Sequence, residues 1–170
     1  KVYGIGFAAT RDLNSYLRYG AQDDAGTPNP VAGKVTATVT QGNSQSGNYL
    51  RSFIHLGFNQ DETGRIVFDG ANPETAVRLL GMNIRFAAPS RAAELYGPGI
   101  DGVLWLEHVP DPGRGRPAAG LLDRCRASET CPKIIETFGS AEFYNLRASP
   151  DLVGTRADRD IPLPSNVRRY

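Results

Sequence analysis

Hydrophobic positions change their period several times along this chain, and each change marks an element. In FAATRDLNSYLRYG, Leu13, Tyr16 and Leu17 recur at helical spacing, with Thr10 placed to cap the start and Gly20 to stop it. The turn-rich AQDDAGTPNPVAG follows. KVTATVT then alternates, Val35, Ala37 and Val39 on one face and threonines on the other, which predicts a strand. The strand breaks at QGNSQSG. NYLRSFIHLGF returns to helical spacing, with Tyr49, Leu50, Phe53 and Ile54 on one face and Gly57 as its stop.

Further on, GRIVFDG reads as a short buried strand with a turn behind it at Asn72–Pro73, and SRAAELYG as a short helix preceded by Pro89. From Pro98 to Gly120 the chain reads as irregular, apart from a candidate strand at VLWLEHV. CPKIIETF is a core strand built on Ile134 and Ile135; Gly139 and Ser140 turn it into a short helix at AEFYNL, and NVRRY opens a last strand. No internal repeat is visible. Strands alternating with helices through crossover-length connections predict an α/β layer architecture on a parallel sheet.

Composition narrows the function classes. With 40% hydrophobic and 22% charged residues over 170 positions, the chain can bury the core of one domain. Nineteen basic and eighteen acidic side chains give a net charge of +1 with no long run of one sign, which argues against nucleic acid or an anionic membrane as partner. No apolar stretch approaches the ~20 residues that span a bilayer, and no signal peptide is present. The start at Lys1 rather than a methionine favours a processed or incomplete chain. Cys125 and Cys131 bracket five residues in CRASETC; a short disulfide loop and two separate thiols both fit that spacing. A zinc site does not fit, because two cysteines are too few and neither His55 nor His108 stands at finger spacing.

The chemistry concentrates in Gly42-Asn43-Ser44-Gln45-Ser46-Gly47, between the KVTATVT strand and the next helix. A nucleophile elbow needs that context, since the chain reverses so sharply that its nucleophile takes strained backbone angles and only small residues fit two positions before and after it. Those positions are Gly42 and Ser46, which makes Ser44 the nucleophile; Ser46 as nucleophile would place the larger Asn48 at a position that must be small. The backbone N–H of Gln45, at the start of the helix, would face a developing oxyanion. A plain Gly/Ser turn with no chemistry is the structural alternative. A phosphate loop is disfavoured because no Gly-Lys-Ser/Thr follows.

The segment GNSQSGNYLRSFIHLGFNQDETGRIVFDGANP resembles the central signature of a family of large α/β-hydrolase-domain proteins: a Ser-Gln-Ser-Gly elbow, then Leu-Arg, Gly-Phe-Asn-x-Asp-Glu and Gly-Arg-x-Val-Phe-Asp-Gly. NIRFAAPSR, GLLDRCRASETCPKIIETFGSAEFYN and PSNVRRY resemble that family in the same order. Asn48 departs from it, standing where an arginine often follows the elbow glycine. The resemblance implies a three-layer α/β-hydrolase-type parallel sheet with helices on both faces, incomplete at both ends. Residues 1–170 would form a single partial domain lacking the early strands and the terminal histidine loop.

In that superfamily the order is Ser…Asp/Glu…His. The resemblance places the acid at Glu142, beyond CPKIIETF; Asp69, after GRIVFDG, is the runner-up, with a turn carboxylate that bonds local N–H groups as its plainer explanation. Glu142 in turn could simply be a carboxylate at a helix start. The catalytic histidine would follow the strand that opens at Val167, and the chain stops at Tyr170. His55 lies far along the helix after Ser44, on the order of 16 Å from the elbow. His108 precedes Glu142 and breaks the order. Trp105, Phe143 and Tyr144 could wall an acyl pocket or simply fill core.

The expected activity is therefore hydrolysis of a small carboxylic ester through an acyl-enzyme on Ser44, without metal or organic cofactor, weak in this chain alone for want of a base. A binding or scaffold domain that keeps the fold without the triad is the alternative. Open strand edges would call for the rest of a parent chain or for self-association. Exported members of the family, and the possible disulfide, point toward a secreted or periplasmic setting.

Overall fold

The computed structural model describes residues 4–80, 102–146, 148–156 and 158–170. Four strands make a parallel sheet in the order β1-β2-β5-β6: β1 Val39–Asn43, β2 Gly70–Glu74, β5 Lys133–Glu136 and β6 Val167–Arg169. A small antiparallel ribbon joins β3 Val109–Asp111 to β4 Arg116–Ala119. The helices are α1 Ile5–Tyr19, α2 Gln45–His55, α3 Asp123–Ala127, α4 Ser140–Tyr144 and α5 Ser149–Val153.

One face of the sheet is covered. Ala71, Ile134, Glu136 and Val167 point into the interior, where Ile54, Leu121, Leu122 and Cys125 pack against Ala71, Ile134 and Val167. The other face carries Lys133, Ile135 and Arg168, which are exposed among the described residues. A second apolar cluster joins α1 to α2, with Phe7 stacked on Tyr49 and Phe58 and tilted against Phe53. Cys125 and Cys131 form a disulfide that ties α3 to the approach of β5.

Several elements differ from the pattern-based expectation, each for a physical reason. The first strand is Val39–Asn43 rather than KVTATVT, because its partner β2 begins only at Gly70 and the ladder runs Val39↔Gly70 to Asn43↔Glu74. GRIVFDG is not a strand; its Val67 and Phe68 extend through a loop into the aromatic cluster. The strand lies instead at GANPE, where Asn72–Pro73 reads as a turn. Proline is tolerated there because the pairing of β2 with β5 covers Gly70 and Ala71 and resumes only at the Glu74–Thr137 bridge, so its missing N–H breaks no bond.

Thr10 does not cap α1, which starts a turn earlier; its hydroxyl meets the Tyr49 hydroxyl at 2.7 Å. Leu13 is exposed, while Phe7 and Ser15 are the buried residues of that helix. Gly20 does end it. VLWLEHV forms a strand only from Val109 onward, and the stretch to Gly120 contains the β3–β4 ribbon. The SRAAELYG helix and the NIRFAAPSR segment lie outside the described residues.

Candidate active site

Ser44 stands between the carboxyl end of β1 and the first residue of α2, with φ 56° and ψ −117°. A left-handed φ on a residue with a Cβ is uncommon and costs on the order of 1–3 kcal/mol, held here by close packing on both sides. A Cβ on Gly42 would lie 2.5 Å from the carbonyl oxygen of Ser46, and one on Gly47 would lie 2.5 Å from the Ala76 Cβ. The two positions that must lack a side chain are therefore Gly42 and Gly47. Ser46 is exposed, so the expected need for a small residue falls one position later than its place in the pattern.

Ser44 itself is exposed at the top of the sheet. Its N–H donates to the Glu74 carbonyl and lies 3.0 Å from the Thr75 hydroxyl oxygen. Gln45 is the first residue of α2, and N–H groups of a first helical turn have no acceptor within the helix.

The candidate acids fall at opposite ends of the sheet. Glu142 lies in α4, which follows the carboxyl end of β5, the end that also carries Ser44. Its carboxylate accepts the Gly139 N–H at 2.8 Å, which secures the start of α4, and no hydrogen bond joins it to Ser44. Asp69 precedes β2 at the amino ends of the strands. It accepts from Arg18 at 2.9 Å and from the Thr38 N–H at 2.8 Å; burial works against its charge, but these partners hold its carboxyl below the usual range. Its place and its partners make it a local anchor and remove it from reach of Ser44.

Both histidines of the chain lie away from the elbow. His55 ends α2; its Nδ1 is buried without a partner, and burial, reinforced by Arg124, pushes its imidazole below the usual range. His108 Nδ1 meets Asp123 at 2.9 Å beside α3, whose Arg124 donates to the Leu56 carbonyl at the far end of α2. Trp105 is buried, donating its indole N–H to the Ala119 carbonyl, and is a core residue. Phe143 and Tyr144 are exposed on α4. A cavity of about 210 Å³ opens elsewhere, between Val109, Val153 and Ile161, with no elbow residue in its wall. Among the described residues, no group of three or more His, Cys, Asp or Glu side chains is placed to hold a metal, and no helix is long and apolar enough to cross a membrane.

Two features escaped the sequence reading. Beneath the elbow, the buried Arg51 of α2 pairs with Glu136 at the end of β5, donates to the Leu104 carbonyl, and meets Asp151 of α5 at 3.2 Å. Arg169 of β6 closes the cluster at 2.7 Å from Glu136 and 2.8 Å from Asp151. Burial pushes the Glu136 carboxyl upward, with Asp151 adding to it against the two guanidinium groups. The Leu50-Arg51 pair in the signature carried the signal, but an arginine on an amphipathic helix reads as a solvent-facing charge. The second feature is Thr75, which has no sequence signature at all.

A parallel sheet with a strained serine at a strand-to-helix reversal defines a protein of the α/β-hydrolase class. The comparison with protein families agrees: the model described as "Alpha/beta hydrolase domain" matches residues 3–170, and the chain belongs to that family. No curated protein and no solved structure matches it.

Proposed function

We propose that this hydrolase-fold domain is a serine hydrolase that cleaves carboxylic esters of small molecules through an acyl-enzyme on Ser44. The observation that carries the reading is the backbone of Ser44, left-handed and locked between Gly42 and Gly47 with its side chain exposed at a helix N-terminus. In this reading Ser44 attacks the ester carbonyl, the Gln45 N–H holds the oxyanion, and Glu142 is the acid. Water then releases the acyl group. With both histidines remote, no histidine among the described residues is placed to take the Ser44 proton, so the predicted rate is low.

The experiment supplies the base. Incubation with p-nitrophenyl acetate, with and without free imidazole, is followed by peptide mass mapping of the segment around Ser44. The expected result is slow acetylation of Ser44 that imidazole accelerates at least tenfold and that Ser44→Ala abolishes. Vigorous Ser44-dependent turnover without imidazole would show that another group of the chain serves as base. No acetylation at Ser44 under either condition would favour the second reading, a binding or scaffold domain, which the remote histidines and the local role of the Glu142 carboxylate also suit.

A further inference from the structure

The described residues hold three non-glycine positions with positive φ, and two of them, Ser44 and Thr75, stand on neighbouring strand ends in contact with each other. Thr75 has φ 46°, a genuine outlier for a β-branched residue. Strain of this kind persists only where surrounding structure over-determines it. Here both sides of the residue are occupied. Its hydroxyl oxygen lies 3.0 Å from the Ser44 nitrogen and accepts that N–H together with the Glu74 carbonyl. Its own N–H donates to the Thr137 carbonyl at 2.9 Å, just past the end of β5. Two residues later, the Gly139 N–H is held by Glu142.

We propose that Thr75 is a positioning residue that fixes the spacing between Ser44 and the strand end that leads into the Glu142 helix. An extended residue here would turn the hydroxyl away from the elbow. The left-handed turn lets one residue grip Ser44 with its side chain and Thr137 with its backbone. This proposal rests on the serine-hydrolase reading for its purpose, though the grip on Ser44 can be measured without it.

The variants are Thr75→Val, which keeps shape and branching but loses the oxygen, and Thr75→Ser, which keeps the oxygen. The first readout is hydrogen exchange of the Ser44 amide by NMR. Thr75→Val should speed it about five- to tenfold, the factor carried by one hydrogen bond of ordinary strength, and Thr75→Ser should stay within about twofold of the parent. The second is imidazole-assisted acetylation of Ser44. Thr75→Val should lower its limiting rate by about tenfold at unchanged half-saturating ester, with rescue in Thr75→Ser. Unchanged exchange in Thr75→Val, or a Thr75→Ser variant as defective as Thr75→Val, overturns the proposal. Absence of acetylation in the parent defeats the hydrolase reading alone, because the exchange readout still decides whether Thr75 grips the elbow.

Discussion

The two ends of the parallel sheet are built on opposite principles. At the amino ends of the strands, the loops satisfy nearly every polar group they bring in. Asn59 donates to the Phe68 and Thr130 carbonyls and accepts the Phe68 N–H; Asp61 accepts from Ser15, Thr63 and Arg65; Asp69 is held by Arg18 and Thr38. The left-handed turns of the loop from α2 to β2 fall on Gly57 and Gly64, and the Cys125–Cys131 disulfide secures the neighbouring α3. At the carboxyl ends the left-handed positions are Ser44 and Thr75, which are not glycines, and the serine is exposed. The amino end carries one such residue, Glu129 within the disulfide loop, whereas the carboxyl end carries two that touch each other. Beneath the carboxyl end lies the Arg51 cluster, which is expected to brace it. The proposed chemistry falls at the end with the two strained residues, and Asp69, already committed to backbone and guanidinium, belongs to the other end.

The strongest way to break this contrast is to remove the brace. Arg51→Met leaves Glu136 and Asp151 buried with only Arg169 between them, and should destabilise the fold by roughly 3–5 kcal/mol in urea denaturation. A loss below about 1 kcal/mol would show that the cluster braces nothing. Next in size, Gly47→Ala drives a methyl into Ala76 and should cost about 1–3 kcal/mol while cutting Ser44 acetylation more than tenfold. Its control is Gly57→Ala at the amino end, where φ is +85° and the nearest neighbour is 3.6 Å away. That change should cost about 1 kcal/mol of backbone strain and leave acetylation untouched. Equal effects on acetylation would erase the distinction between the two ends.

The smallest expected effect sharpens the assignment of the acids. Asp69→Asn should cost under about 1 kcal/mol near neutral pH, because the Asp69 side chain is 37% exposed and its pairing with Arg18 is screened. The folded state lowers the Asp69 pKa, so its contribution is present above the unfolded value of about 3.9 and disappears as pH falls through the folded one. The gap between parent and variant should therefore close in acid. Ser44 acetylation should be unchanged by the substitution; a large loss would return Asp69 to the site.

The strand-to-helix reversal at Ser44 was legible in the sequence because steric exclusion writes itself as small residues at fixed offsets, although the tight position after it is Gly47 rather than Ser46. The parallel sheet was legible from the alternation of elements. Its exact strands were less so. β-branched residues at Thr36 and Thr38 favour extended backbone but have no ladder partner, whereas Gly70–Glu74 lacks strand propensity and is made a strand by the neighbours on either side. Arg51 and Thr75 were illegible for a related reason. The burial of one and the backbone turn of the other are set by residues tens of positions away.

The closing member of the buried cluster ties the charge balance of the interior to the docking of one strand. Arg169 lies 33 residues after Glu136 and 18 after Asp151, yet it pairs with both beside Arg51. Strand β6 is therefore a carrier of charge as well as a strand: β5 and α5 close over both carboxylates at full strength only once β6 has docked beside β5. A chain in which β6 is kept from docking should hold a wet, partly open interior at this end of the sheet.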